Sequence, residues 1–410
     1  MPVHLKLPQM RCVGLSLLIF TTVCVADAQS PWRYSVEVSR PNNGMNVMFD
    51  GYHHPETTDF ALNFGPSYVR MLDGTDALVL RCCINITGCS TVNNPDVVTF
   101  VKRSRDKIDL TGLQQQFERN SLDKIILRPE TQDEQCGVQD PRITVDASTG
   151  LYWMAYTAYG CSSPASCAQN GGCGEVKTKM VVSRTPDVAS SWRRVQRTGD
   201  PGFDEKSTAL LIRPGRLPHF QFTGTGTVHA WQSVDLLHWT AAGTLLTGRP
   251  GEFDSGYVEA GAPPVLLSDG NLLATYDTIL NGGIPGATAH NGPGCSETAC
   301  SGWGAGWAVL NGSDPTQVLQ RSREPLFVPV MPWEQGPVSG SDWAWTQNPS
   351  IGATNGLQQL GNDSFLAWSC ASDSVVEVFH LRVSMWASSA AMLPKSPAGD
   401  VTVGRDRIIV

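Results

Sequence analysis

Asp140 stands in Gly137-Val138-Gln139-Asp140-Pro141-Arg142-Ile143-Thr144, a carboxylate on a proline-stiffened turn. An apolar run follows at Leu151-Tyr152-Trp153-Met154-Ala155-Tyr156-Thr157-Ala158-Tyr159. The residue before a proline is steered away from helical geometry, so Asp140 is expected extended, with its carboxyl aimed outward. A turn aspartate that caps its own backbone is an equal reading of these residues alone. Arg142 is placed to orient Asp140 or to bind substrate oxygens. Glu259, in Gly256-Tyr257-Val258-Glu259-Ala260-Gly261-Ala262-Pro263-Pro264, is the second acid. Alone it reads as a solvated loop glutamate. Together the two suit inverting cleavage of a glycosidic bond. One carboxyl protonates the leaving oxygen, and the other, about 6.5 to 9.5 Å away, activates water. Proton transfer between carboxyls requires neither metal nor cofactor.

Aromatic residues support a carbohydrate partner. Trp303, Trp307, Trp333, Trp343 and Trp345 fall in stretches rich in Gly, Pro and Ser that read as loops. Flat rings in loops stack on sugar faces, although most such rings pack the loop itself. Other chemistry is thinly represented. His53-His54 has no evident third metal ligand, and His219 and His229 lie in strand-like context. No C-x-x-C pair, G-x-S-x-G elbow or phosphate-binding loop is present.

The elements that must hold these residues are strands. Short β-branched and aromatic runs alternate with turns of Gly, Pro, Asn and Asp. Forty glycines and 27 prolines fit an all-β chain better than a helical one. Only residues 111–122 look moderately helical, and they lack a strong apolar face. A degenerate unit recurs: a Pro/Gly/Asn-rich opening, a short strand, a turn, then an apolar strand. Its copies pair residues 63–69 with 77–81, 140–144 with 152–156, 207–212 with 227–231, 260–266 with 271–276, and 348–352 with 364–368. Five units, spaced by roughly 50 to 90 residues, point to a five-bladed β-propeller over a β-sandwich with a second β domain. In such a fold the openings face one axis. Residues 183–192 and 233–239 share a Ser…Asp…Trp pattern and read as outer-strand turns, with structural roles for Asp187 and Asp235.

The 410 residues carry a formal charge of -8, without a basic patch, so nucleic acid is excluded as a partner. Residues 1–28 read as a signal peptide: a weakly basic start, an apolar run from Cys12 to Val25, and Ala26-Asp27-Ala28 for cleavage. That run is short for a membrane span, and no later one approaches spanning length. Residues 29–410 are then a single secreted domain. Two of the 12 cysteines leave with the signal, and the remaining even number implies disulfides. Cys161, Cys167 and Cys173 share one loop, and Cys295 and Cys300 another, as for local staples. The sequons at Asn85, Asn311 and Asn362 agree with secretion and N-glycosylation.

At these residues the chain resembles glycoside hydrolase family 130, β-mannoside phosphorylases and hydrolases on a five-bladed propeller. The resemblance is carried by residues 137–159, by 257–276, by the run from Gly306 through Glu334, and by Ala371-Ser372-Asp373-Ser374-Val375. It implies that Asp140 is the proton donor and that the anomeric centre inverts. It also implies that Asn63, Arg81, Arg142 and Tyr257 contact the sugar. Tyr257 and Glu259 replace a Lys and a Gly of the family's pattern, Ser207 replaces an Asp beside Lys206, and a basic third-blade motif is missing around His219. A carboxylate near the anomeric carbon repels phosphate and favours water. The expected activity is therefore hydrolysis of β-mannosidic or related bonds, with phosphorolysis or sugar binding without catalysis as the alternatives.

Overall fold

The computed structural model describes residues 32–387 apart from 42–43, 45, 52–53, 86–87, 104–108, 113–115, 162, 170–171, 199–204, 282–299 and 335–350. The signal segment, His53, Cys295, Trp343, Trp345 and the opening residues 348–350 of the fifth copy lie outside the described residues. The chain divides into a body, Ser35–Ser384, and a unit of its two ends, Met1–Tyr34 with Met385–Val410.

The repeat appears as five antiparallel sheets, the blades of a β-propeller. The first has β3 (Leu62–Arg70), β4 (Asp76–Cys83), β5 (Val97–Lys102) and β6 (Ile125–Leu127) in order. The second has β7 (Gly137–Asp146), β8 (Leu151–Gly160), β9 (Glu175–Ser183) and β10 (Arg193–Val195). The third has β11 (Ala209–Leu211), β12 (His219–Thr223), β13 (Thr227–Ser233) and β14 (Thr240–Thr247). The fourth begins with the split strand β15 (Val258–Ala260) and β16 (Val265–Leu266), followed by β17 (Leu272–Asn281), β18 (Cys300–Leu310) and β19 (Val318–Arg321). The fifth has β20 (Ile351–Gly361), β21 (Ser364–Ala371) and β22 (Val375–Ala387), with β1 (Trp32–Ser39) outside them; β2 (Val47–Phe49) also pairs with β22. The first and last described strands thus share one sheet, which closes the ring.

Apolar clusters join successive blades, because each sheet is too small to bury its own faces. Leu78, Leu80 and Val101 meet Trp368, Val376 and Val378. Val79, Val98 and Phe100 meet Met154, Tyr156 and Val181. Trp153 and Met180 meet Leu210 and Trp239. Phe220, Phe222 and Val228 meet Leu272, Ala274 and Tyr276. Phe327 stacks on Phe379 at 4.0 Å between ring centroids.

The structure corrects several expectations. In the third copy, β12 intervenes between the two strands read as consecutive; Phe220-Gln221-Phe222 is too short a run to announce itself. Trp303 and Trp307 lie in β18, not in a loop, and Trp307 is core. Among the described residues the one α-helix is Pro164–Gln169, inside the cysteine loop. The bridges there are Cys161–Cys167 and Cys136–Cys173, and a third joins Cys83 to Cys89. Cys82 and Cys370 are free and buried, so the even count does not mean complete pairing. The Ser…Asp…Trp segments connect the third and fourth strands of their blades, as read. Trp192 donates to the Pro186 carbonyl at 3.0 Å and Trp239 to the Leu236 carbonyl at 3.2 Å. Asp187 pairs with Lys102, and Asp235 accepts from the turn amides of Leu237 and His238.

Candidate active site

Three inner strands lose register where they open. β3 slips between Phe64 and Ser67, β7 between Gln139 and Arg142, and β20 between Gly352 and Gly356. Such bulges re-aim side chains and favour functional sites. Asp140 sits in the second bulge with φ +48°, Gly65 in the first with +56°, and Ser207, just before β11, has +61°. The extended geometry expected at Asp140 is therefore wrong. The bulge overrides the proline's preference, and aspartate tolerates left-handed backbone better than most residues. The bulges converge: a Cβ on Gly65 would lie 3.2 Å from Asn355 Nδ2 and 3.5 Å from the Asp140 Cα.

Asp140 accepts from Arg81, whose Nη1 is 3.0 Å from Oδ1. Arg81 lies over the Phe64 ring, 4.1 Å from its centroid, and also reaches Ser90 and Asp96. Glu259, on β15, accepts from Ser207 Oγ and from Tyr257 OH, the latter at 3.2 Å. Lys206 Nζ stands 3.6 Å from Glu259 Oε1. The Tyr257 ring meets Trp303 edge-on at 5.2 Å. Asp277 is the cross-strand partner of Glu259 and is buried. Its Oδ1 accepts from the Thr354 amide at 3.3 Å, while Oδ2 has no partner.

Two residues expected at the sugar are turned to other work. Asn63 is fully buried; its Oδ1 accepts from Thr58 and Asn120, and its Nδ2 donates to the Phe60 carbonyl. Arg142 is also buried and donates to three carbonyls: Gly261 and Ala260, each at 2.7 Å, and Asp140 at 3.1 Å. It ties the second blade to the opening of the fourth. Both burials went unseen for one cause: inner-strand polarity looks the same in sequence whether a side chain meets solvent or backbone. His54 pairs with Glu56 through Nδ1, and His219 Nδ1 accepts the Arg213 amide.

Electrostatics separate the acids. Burial opposes charge on Asp140, but Arg81, then Lys206 and Arg142, outweigh it and hold the carboxyl below its ordinary range. Burial, then Glu259, push Asp277 up to about 7. Burial raises Asp373, aided by Asp140 and Glu259, despite Arg81 and Lys206. Burial likewise raises Asp96 against the pull of Arg81. Glu259 draws Lys206 upward. Asp96, Asp277 and Asp373 escaped the sequence reading. Asp373 lies in the Ala371–Val375 run already noted, but Asp96 and Asp277 sit among apolar strand residues without a motif. The chemical content is a group of carboxyls at differing proton affinities, bridged by Arg81 and Lys206. That is the arrangement acid–base catalysis requires.

The model of glycoside hydrolase family 130, described as β-1,4-mannooligosaccharide phosphorylase, matches residues 99–338. A 1,2-β-oligomannan phosphorylase of Thermoanaerobacter sp. (strain X514) is 25% identical over 219 residues, 52% of this chain and 61% of its own length. A β-1,2-mannobiose phosphorylase of Listeria innocua serovar 6a (strain ATCC BAA-680 / CLIP 11262) is 32% identical over 214 residues, 52% of this chain and 51% of its own. The chain thus spans little more than half the length of the curated relatives it matches. A solved structure, from work on family 130 hydrolases that target β-1,2 mannosidic linkages in Candida mannan, superposes with a TM-score of 0.60 at 20% identity. It covers 84% of this chain and 93% of its own.

Proposed function

The chain belongs to glycoside hydrolase family 130, and from that premise we propose that it is a secreted, inverting hydrolase of β-mannosidic or related bonds. The observation that carries the reading is the occupation of the cationic groups. Arg81 is held by Asp140 and Asp96, Lys206 faces Glu259, and Arg142 is buried on carbonyls. Phosphate brings two negative charges and needs unengaged cations, whereas water does not. Glu259 then takes the proton of the attacking water. The water oxygen bonds to the anomeric carbon as the glycosidic bond breaks, and the leaving oxygen takes its proton from Asp140. Tyr257 and Ser207 orient Glu259 through their hydroxyls. Asp140 must be protonated at that moment, yet Arg81 favours its ionised form. Protonation is promoted by acid, so kcat/KM should peak at acidic pH and fall as pH rises through the depressed Asp140 range.

The test is cleavage of β-mannobiose and longer β-mannosides with and without inorganic phosphate, followed by NMR of the anomeric product. Release of free mannose in its inverted anomer, unchanged by phosphate, is expected. Mannose 1-phosphate, appearing only with phosphate, would establish the second reading, phosphorolysis. The names of the curated relatives favour that reading, as does a Lys206 side chain that is one-third exposed beside Arg81. N-glycans at the exposed Asn85 and Asn362 and at the half-buried Asn311 belong to the proposed secretion.

A further inference from the structure

Arg81 serves two masters. Its Nη1 grips Asp140 Oδ1 at 3.0 Å, while its Nη2 lies 3.2 Å from Asp96 Oδ2 and 3.0 Å from Ser90 Oγ. Asp96 is fully buried. Its Oδ2 also accepts from Ser90 Oγ at 2.8 Å and Gln139 Nε2 at 2.6 Å. Its Oδ1 faces the sulfurs of Cys83 and Cys89, at 3.0 and 3.3 Å. Those sulfurs form a disulfide and carry no proton to donate. They offer no thiolate for a metal either, although the three groups lie close together. The bridge therefore leaves Oδ1 without a donor and concentrates every hydrogen bond of Asp96 on the oxygen that faces Arg81. The backbone fixes Asp96 as well. Its amide donates to the Cys136 carbonyl, and its carbonyl accepts from Val138, two residues before Asp140. Gly137 leaves room, since a Cβ there would collide with the Asp96 carboxylate.

We propose that Asp96 is a positioning residue for Asp140: it draws the Arg81 guanidinium away and so sets how firmly Arg81 grips the acid. This rests on the reading of Asp140 as the proton donor. A carboxylate gripped by an undivided arginine gives up its proton too readily to act as an acid near neutrality. Sharing Arg81 with a second carboxylate weakens that grip. The other charged groups facing Asp140 are Lys206 and Arg142, with Asp373 opposing them. Arg81 is the side chain hydrogen-bonded to both carboxylates, so a change at Asp96 reaches Asp140 through it.

The experiment is a carboxyl carbon NMR titration of Asp140 in the full chain, with the resonance assigned by its loss in Asp140→Asn. Asp96→Asn keeps the shape and removes the charge. It should lower the Asp140 midpoint by about one pH unit and move the upper limb of the kcat/KM profile to lower pH by the same amount. Ser90→Ala removes one acceptor from Arg81 and one donor to Asp96, and should move both in the same direction by less. It also serves if Asp96→Asn does not fold. Lost activity with an unmoved midpoint would mean that Asp96 is merely structural and would overturn the proposal. If the parent cleaves no glycoside, the proposed function fails on its own, while the NMR midpoint still decides the role of Asp96.

Discussion

Asp277 shows how a residue can matter to the site without touching a ligand. It is buried directly across from Glu259, with one oxygen on the Thr354 amide and the other without a partner. Burial and the neighbouring carboxylate raise it to about 7, from an ordinary 3.8. The sign for stability follows from linkage. A carboxyl whose folded value is raised binds its proton more tightly in the folded state. Its contribution is complete below about pH 4 and is lost as pH rises to about 7. Asp277→Asn should remove that slope and leave a protein more stable than the parent above neutrality, by on the order of a few kcal/mol. Urea unfolding at pH 4, 6 and 8 checks this, and an unchanged slope would show that Asp277 is already ionised. Asp140→Asn retains shape and hydrogen bonding and should keep mannoside affinity while lowering kcat by roughly two to four orders of magnitude. Calorimetry beside steady-state kinetics separates the two effects.

At the scale of the element, the blades repeat a lock as well as a strand pattern. A buried acid before or at the opening of a blade is clamped by an arginine from the blade's outer edge. Glu134 accepts from Arg194 and from Tyr156 of β8. Asp254 accepts from Arg321 and from Tyr276 of β17. Glu334 accepts from Arg40, which follows β1. Each lock ties the segment that enters a sheet to the outermost strand of that sheet or the residue after it. Burial opposes charge on Glu134, but Arg194, Tyr156 and a backbone amide pull it down to about 2. Its stabilisation is therefore present above about pH 4.5 and fades as pH falls toward 2. Arg194→Met leaves that carboxylate with Lys179, Tyr156 and the Glu130 amide, and should cost about 3 kcal/mol at pH 7 with a smaller difference at pH 3. Thermal unfolding at both values checks it. Most copies were legible in the sequence because their openings carry Pro, Gly or Asn before an apolar strand; the third, Ser207 to Ile212, has none of these, and there a strand was overlooked. Asp140, Glu259, Arg81 and Tyr257 were legible as polar residues at or near those openings. The locks were not, since an arginine in an outer strand reads as solvated surface. The bulges were not, because register is a property of two strands and a sequence displays one at a time. The burial of Asn63 and Arg142 was missed for the same reason: their acceptors lie in distant segments.

For the whole molecule, the decisive contact is the one that closes the ring. The fifth sheet takes β1 from one end of the chain and β20, β21 and β22 from the other. Arg40 sits just after β1, with its guanidinium on Glu334 and 3.6 Å from Glu377 of β22. It also covers the Phe379 ring at 4.7 Å. Glu377 is fully buried, accepts from Asn46 and from the Trp333 indole, and is pushed well above its ordinary value by burial and then by Glu334. Two buried glutamates thus share one arginine, which comes from a segment some three hundred residues away in sequence. Closing so long a loop costs entropy in proportion to the logarithm of its length, and the return arrives only when the last sheet forms. Arg40→Met should therefore destabilise by about 3 to 5 kcal/mol, because it strands buried charge. Adding Glu377→Gln removes one of the two acids and should restore part of the loss. A non-additive cycle in urea unfolding is the expected result, with the double variant more stable than Arg40→Met alone. Additive losses would mean that Arg40 acts by covering Phe379 rather than by pairing. Because Asp140 and Glu259 lie in other blades, the activity that remains in folded Arg40→Met protein should match the parent. The ring closure then governs how much enzyme is folded, and the carboxyl group governs what the folded enzyme does.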